Sequence, residues 1–317
     1  MSIDLTTLDP DRVEAFQGLV VTEAAAAESA ACCYLGDVLG LYGAMAGAGK
    51  LSAEELAART HTNERYVREW LANQASGGYV TYDPEDGTFE LPDEHAAVLA
   101  DADSPAYATG IFPIIAAVWA SADRAVEAFR SGEGIGWHEH DHRLFHGVER
   151  IFAPLYRHQL VQDWIPALAG VEERLTAGGR VADVGCGHGA STIVLAKAFP
   201  DSRFTGFDLH PESIAAASKT AAEAGVGDRV GFEVAAADSF PGEGYDLVCF
   251  FDCLHDMGDP VAAAARARDA LADDGTLLVV EPQAGPTRLL EVLSEAGFTR
   301  HRVATETPFN LILEARP

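Results

Sequence analysis

Gly185, Gly187 and Gly189 follow a run that opens Val181-Ala-Asp-Val, and the residues from Ala190 onward are helix formers. A buried strand that breaks into glycines at the mouth of a helix lets the backbone turn sharply and approach a ligand where any Cβ would collide. Taken alone, Gly185-Cys-Gly-His-Gly-Ala190 also satisfies the pattern of a dinucleotide-binding turn. The carboxylates around it restrict the charge of the ligand. Asp183, two residues before the first glycine, would repel a pyrophosphate but tolerates a cationic group. Asp208 ends the next strand, about twenty residues on, where an acid accepts from the hydroxyls of a ribose. Asp238, in Ala236-Ala-Asp-Ser-Phe240, can accept from the amino group of adenine, with Leu209 and Phe240 placed to flank the ring. The ribose contact is common to nicotinamide cofactors and to S-adenosylmethionine. Asp183, facing a cationic methionine end, is what separates the two.

A second cluster follows a later strand and reads Phe251-Asp-Cys-Leu-His255-Asp-Met-Gly-Asp-Pro260. Methyl transfer to a hydroxyl is an in-line displacement, so the acceptor oxygen must be held against the methyl carbon and lose its proton. Histidine, with an ordinary pKa near 6.5, can take that proton near neutral pH. His255 is therefore the candidate general base; as a purely structural group it would cap the helix that begins near Pro260. The run His138-Glu-His140-Asp-His142, with His146 nearby, has imidazoles at alternate positions as a metal site can have. It could equally contact substrate or sit on a solvated loop, and no metal is assigned.

With DVGCGHG, FTGFDLH, AAADSF and YDLVCFFDCLHD in this order and spacing, the segment from Thr176 to Pro317 resembles the class I S-adenosylmethionine-dependent methyltransferases. The resemblance implies a cofactor site formed by Asp183, Gly185, Cys186, Gly187, Gly189, Asp208, Leu209, Asp238, Ser239, Phe240 and Phe251. A winged helix ahead of an "LHD" after the fourth strand is similar to the O-methyltransferases of the plant and polyketide-tailoring type. There the matching histidine is the base, and an acid ending the fifth strand flanks it; Glu281 holds that position here. In that group the winged-helix domain serves dimerisation and covers the substrate pocket. The whole chain is closer still to uncharacterised actinobacterial methyltransferases of this architecture. It departs from its better-known relatives after Glu281, where only Pro282 to Pro286 precede the next helix and no second acid follows between Gln283 and Leu290.

These groups need elements to position them. From Arg180 the chain alternates strand and helix: strands at 180–184, 203–208, 230–235, 245–251 and 275–281, helices at 190–199, 211–224, 260–271 and 287–296, and a closing strand pair near 299–305 and 309–315. The pattern predicts an α/β, Rossmann-like fold with a mostly parallel sheet. Ahead of it, Val13 to about Gly47 reads as two Ala-rich helices. Ser52-Ala-Glu-Glu55 is a capping box opening a helix to about Thr60, and a second helix runs from Asn63 to Gln74 with Thr62 as its cap. Strands at 79–82 and 88–91 around an Asp86-Gly87 turn complete a winged-helix layout. Helical stretches at 109–129 and 150–168 lead into the sheet. The expected domains are 1–170, helical and winged-helix, and 171–317, cofactor-binding.

Composition narrows the partners. A chain of 317 residues has room for both domains, and its net charge of -27 opposes binding of a polyanion. The wing itself carries Asp83, Glu85, Asp86 and Glu90. Cys32, Cys33, Cys186, Cys249 and Cys253 lack CxxC spacing and read as reduced, buried thiols. Met1 to Arg12 has no signal pattern, which predicts a cytoplasmic protein, and the apolar run Ala106 to Ala122, interrupted by Pro113, predicts a buried helix. The expected partners are a small-molecule acceptor and a second copy of the chain, with no nucleic acid and no membrane. The readings left open are methylation of nitrogen, carbon or sulfur with His255 only positioning the acceptor, a non-catalytic winged-helix regulator, and a nicotinamide oxidoreductase.

Overall fold

A computed structural model describes residues 8–283 and 286–317. Most of the acidic N-terminal stretch and the middle of the short Pro282 to Pro286 connection lie outside the described residues. By contacts the chain divides into two compact units, Met1–Ile135 with His140–Ile151, and Gly136–Glu139 with Phe152–Pro317.

The first unit opens with α1 (Pro10–Val38), which Asp9 caps by accepting from the backbone N–H of Asp11 and Arg12, with Pro10 in its first turn. A short α2 (Leu41–Met45) follows. The helix-turn-helix is α3 (Ala53–Thr60) and α4 (Glu64–Ser76). The capping box of α3 is present in full, Ser52 accepting from Glu55 N–H and Glu55 from Ser52 N–H. The cap of α4 is Asn63, not Thr62: Asn63 Oδ1 accepts from Arg65 N–H at 3.0 Å, while the Thr62 hydroxyl pairs with that of Thr60. The wing is β1 (Thr81–Asp83) paired antiparallel with β2 (Thr88–Glu90). Beyond α5 (Asp93–Leu99), the expected single helix is two, α6 (Ile111–Ala120) and α7 (Ala122–Ser131), broken at Ser121.

The core of this unit gathers Leu41, Tyr42, Met45, Leu56, Trp70 and Leu71, with Tyr42 donating its hydroxyl to buried Gln74 at 2.6 Å. The apolar run around α6 is only half buried. Phe112 and Ala117 face inward, whereas Ile111, Val118 and Trp119 (68%) are exposed. α1 goes further: it is 29 residues long, apolar enough over an 18-residue window to cross a membrane by length and composition, and 6% buried in that window.

In place of the single helix expected over 150–168, α8 (His142–Leu155) begins earlier and gives way to a π-helix at Tyr156–Trp164. Pro154 lies just before the change. It has no N–H to donate to the preceding turn and its ring crowds that turn, which favours a shift of register.

The second unit continues with α9 (Val171–Thr176), β3 (Arg180–Val184), α10 (Ala190–Ala198), β4 (Arg203–Asp208), α11 (Pro211–Glu223), β5 (Val230–Val234) and β6 (Tyr245–Phe251). It closes with α12 (Pro260–Ala270), β7 (Leu271–Pro282), α13 (Pro286–Glu295), β8 (Arg300–Glu306) and β9 (Asn310–Arg316). The 7-stranded sheet has the order β5-β4-β3-β6-β7-β9-β8, parallel throughout except for β9. β6 and the 277–280 stretch of β7 are nearly continuous apolar runs, as strands buried on both faces must be. One sheet face packs on α12 and α13 through Val248, Phe250, Leu277 and Val279, and the other on the π-helix and α10 through Leu247, Cys249, Leu278 and Ile312. β7 starts four residues earlier than Gly275, because a register shift between Tyr245 and Leu247 extends pairing back to Leu271. Parallel strands bring the carboxyl ends of β3, β4, β5, β6 and β7 to one edge, and every candidate site residue lies at or just after one of those ends.

Candidate active site

The glycine turn is pinned to the end of β4. The N–H groups of Gly185 and Cys186 donate to the Phe207 carbonyl at 2.7 and 3.0 Å, and Gly187 N–H donates to Asp208 Oδ2 at 2.9 Å. Asp208 Oδ1 accepts from His210 N–H at 2.8 Å, so this acid holds both flanking turns in place with lone pairs to spare. All three glycines have left-handed φ, but their surroundings differ. A Cβ on Gly185 would come within 2.7 Å of Cys253 Sγ, and one on Gly189 within 2.7 Å of the Phe232 ring. A Cβ on Gly187 would meet nothing within 4 Å. Two glycines are there for packing, and the middle one borders open space where a ligand can lie against the backbone.

Asp183 is fully buried beneath this turn. Its Oδ2 accepts from the hydroxyls of Ser191 and Thr192, both at 2.6 Å, in the first turn of α10. Its Oδ1 is buried with no partner. Burial raises its pKa to about 6; the Ser191 and Thr192 bonds oppose the rise and the charge of Asp208 adds to it. An unpaired buried acid oxygen beside a second carboxylate suits a cationic group and opposes a phosphate. Cys186 is buried, and burial drives its thiol well up, away from reactive thiolate chemistry.

After β5, the chain departs through Ala235, whose N–H donates to the Asp208 carbonyl at 3.0 Å. Asp238 is exposed and accepts from the Ser239 hydroxyl at 2.9 Å. Leu209 is 61% exposed at the same edge. The two aromatic residues expected to contact the cofactor, Phe240 and Phe251, are packed inside in this structure. Phe240 is 0% exposed, packed on Phe207 and Tyr245 with the Arg266 guanidinium over its ring, so both ring faces are committed to the core. Phe251 is 5% exposed and packs on Tyr156 of the π-helix. Both were read as cofactor contacts because aromatic rings near such turns can do either job, and a sequence does not show which way they point.

His255 lies in a 3-10 turn, Leu254–Asp256, just beyond β6, and Glu281 at the end of the paired strand β7. Glu281 is fully buried; its Oε1 accepts from the N–H groups of Cys253 (3.2 Å) and Leu254 (2.7 Å), and its Oε2 is bonded to His255 Nδ1. One carboxylate thus fixes both the turn and the ring it presents. The Glu281 bond raises the His255 pKa above 6.5 against the opposing effect of burial, and Asp256 adds to the rise with Oδ1 3.5 Å from Nε2. His255 does not cap α12: that cap is Asp259, accepting from Ala262 N–H at 2.9 Å. Two further acids, Asp256 and Asp252, act on the histidine besides Glu281, and neither comes from the segment after Glu281.

The sequence reading missed Asp252. It is a non-glycine residue with φ 49°, held by Asn310 Nδ2, which donates to its Oδ1 at 2.6 Å. The available signal was small: Asp is among the few residues that tolerate this backbone region. At the other candidate cluster, Trp137–Glu139 form a 3-10 turn, and among the described residues no three His, Cys, Asp or Glu side chains are grouped to hold a metal. On the helix-turn-helix, Arg65 and Arg68 of α4 pair with Glu69 and Glu64, and Lys50 pairs with wing Asp83.

Strand order and glycine turn are those of the fold that the comparisons match to a methyltransferase domain. Residues 182–277 match the family model described as a methyltransferase domain, and residues 27–101 match the Rv2258c-like winged HTH domain. Among curated proteins, the chain is 32% identical over 141 residues to the trans-aconitate 2-methyltransferase of Streptomyces avermitilis, covering 43% of this chain and 52% of that protein. The chain thus spans about half the length of the curated relatives it matches. Among solved structures it resembles the mitomycin 7-O-methyltransferase MmcR, with a TM-score of 0.70 and 19% identity over 98% of this chain and 100% of that one. Human N-acetylserotonin methyltransferase in complex with SAM gives a TM-score of 0.70 and 17% identity over 99% of each chain. These structural likenesses are to the fold.

Proposed function

We propose that the protein is an S-adenosylmethionine-dependent O-methyltransferase acting on a small molecule, with His255 as general base and Glu281 orienting it. The observation that carries this reading is the His255–Glu281 pair at the ligand edge of the sheet. Glu281 spends Oε1 on two backbone donors, so it acts as an acceptor and Nδ1 of His255 carries the hydrogen between them. Nε2, on a partly exposed ring 3.5 Å from Asp256 Oδ1, then carries the lone pair that can receive the proton of an acceptor hydroxyl.

The residues present fit the cofactor. Asp183 Oδ1 suits the methionine ammonium, the open backbone at Gly187 with Gly185, Cys186 and Gly189 forms the cradle, Asp208 can accept from the ribose hydroxyls, and Asp238, with Ser239 and Leu209, suits the adenine. When bound, the sulfonium supplies a methyl group electrophilic enough for displacement by the acceptor oxygen. Replacement of His255 by Ala tests the base: an activity loss of about a hundredfold or more is expected, and a loss under about tenfold would favour methylation of another atom, with His255 only positioning the acceptor.

The partner assignment rests on the first unit. Val13, Phe16, Leu19, Val20 and Val21 are exposed apolar side chains on α1, which a second copy of the chain would cover. The neutralised arginines of α4 and the acidic wing leave little positive field for DNA, which argues against the regulator reading.

A further inference from the structure

Asp252 has no part in the proton transfer described above, yet its arrangement is costly. Its left-handed backbone turns the side chain out of the alternation of β6, and its N–H still completes the sheet by donating to the Val280 carbonyl at 2.7 Å. The Asn310 amide holds Oδ1, and Oδ2 is buried without a partner. A buried oxygen left unmatched forfeits stability that a nearby substitution could recover, so an account is owed for what it meets. The groups around it are Glu281, His255, Cys253 and the Tyr156 ring of the π-helix. Glu281 and His255 are the base and its support, and Cys253 lies between them and the glycine turn, against Gly185.

We propose that Asp252 is an acceptor-binding residue, whose Oδ2 hydrogen-bonds a second oxygen substituent adjacent to the hydroxyl that is methylated. The proposal rests on the O-methyltransferase reading and narrows it to acceptors of the vicinal or ortho-dihydroxy class. Burial, reinforced by the Glu281 carboxylate and opposed by Asn310 and His255, holds the Asp252 carboxyl well above the usual range. Among the described residues Oδ2 has no partner and is available to bond the substituent, while Asn310 fixes the other oxygen. The same surroundings disfavour polyanionic acceptors: Asp252, Asp256 and Glu281 accompany a single imidazole here.

The test compares matched probes that differ only in the second hydroxyl, catechol against phenol and dopamine against tyramine, in wild type, Asp252→Asn and Asp252→Ala. S-adenosylhomocysteine affinity is measured in parallel by calorimetry. Wild type is expected to favour the dihydroxy member of each pair at least tenfold in kcat/KM. Asp252→Ala is expected to abolish that preference with S-adenosylhomocysteine affinity within about twofold. Asp252→Asn, which can place its amide N–H where Oδ2 was and keep the Asn310 bond, should retain it. Equal use of both members by wild type, turnover of none of the four by protein that binds S-adenosylhomocysteine, or a preference that survives Asp252→Ala overturns the proposal. A tenfold loss of S-adenosylhomocysteine affinity in Asp252→Ala also overturns it, by moving Asp252 to the cofactor. Should Asp252→Ala fail to fold, the wild-type pairs still decide. Wild type that binds no S-adenosylhomocysteine refutes instead the underlying cofactor reading.

Discussion

His255 shares Glu281 with the backbone of its own turn: Oε2 holds the ring at Nδ1 while Oε1 holds the N–H groups of Cys253 and Leu254. The ring cannot be freed without loosening the turn that carries it, so the pair acts as one unit.

Its pH behaviour follows. Glu281 raises the His255 pKa above 6.5, so the base is unprotonated only at higher pH, and kcat/KM should rise with pH with a midpoint above 6.5. Glu281→Gln keeps an oxygen for the turn but removes the charge, and the midpoint should fall toward 6.5. The stabilisation that protonated His255 gains from Glu281 is fully present below pH 6.5 and lost as pH rises through the raised value. A pH–rate profile of both proteins checks this; a midpoint that does not move in the Gln variant contradicts the pairing.

Asp183 makes cofactor affinity depend on pH in a lower window. With a pKa of about 6, its ionised fraction rises about tenfold between pH 5 and pH 7, and affinity for S-adenosylhomocysteine should rise by about that factor. In Asp183→Asn the affinity should be weaker and flat over the window. Calorimetry at three pH values distinguishes this from a purely structural Asp183.

The glycines separate folding from binding. Gly185→Ala places a Cβ against Cys253 at a left-handed φ and should cost about 1–3 kcal/mol of stability. Gly187→Ala meets no neighbour, so it should cost no more than about 1–2 kcal/mol for its φ, yet lower S-adenosylhomocysteine affinity at least tenfold. Thermal melts alongside calorimetry would show the two effects falling on different variants.

The α1 face predicts an oligomer. Phe16 is 67% exposed within a run of apolar neighbours, and Phe16→Glu should convert a dimer in solution to monomer while leaving the C-terminal unit folded. Light scattering after size exclusion reads the mass directly, and a wild-type monomer contradicts the prediction.

The sheet was legible because its strands are continuous apolar runs bounded by turns: β3, β4 and β6 lie where periodicity places them. The capping box of α3 was equally plain, since its geometry is local. What depended on tertiary direction was not legible. Phe240 and Phe251 have the composition of ring-stacking residues and are packed inside. The π-helix after Pro154 and the left-handed Asp252 reflect local backbone choices that several residue types could make. The apolar positions of α1 read in sequence as packed against a partner surface, and hydropathy does not say which surface that is.

The most direct measurement is a calorimetric titration of the full chain with S-adenosylhomocysteine and, separately, with NADH, repeated on Asp208→Ala. Binding of S-adenosylhomocysteine alone, lost in the variant, is the predicted result; binding of NADH, or no response to S-adenosylhomocysteine from folded protein, would contradict it.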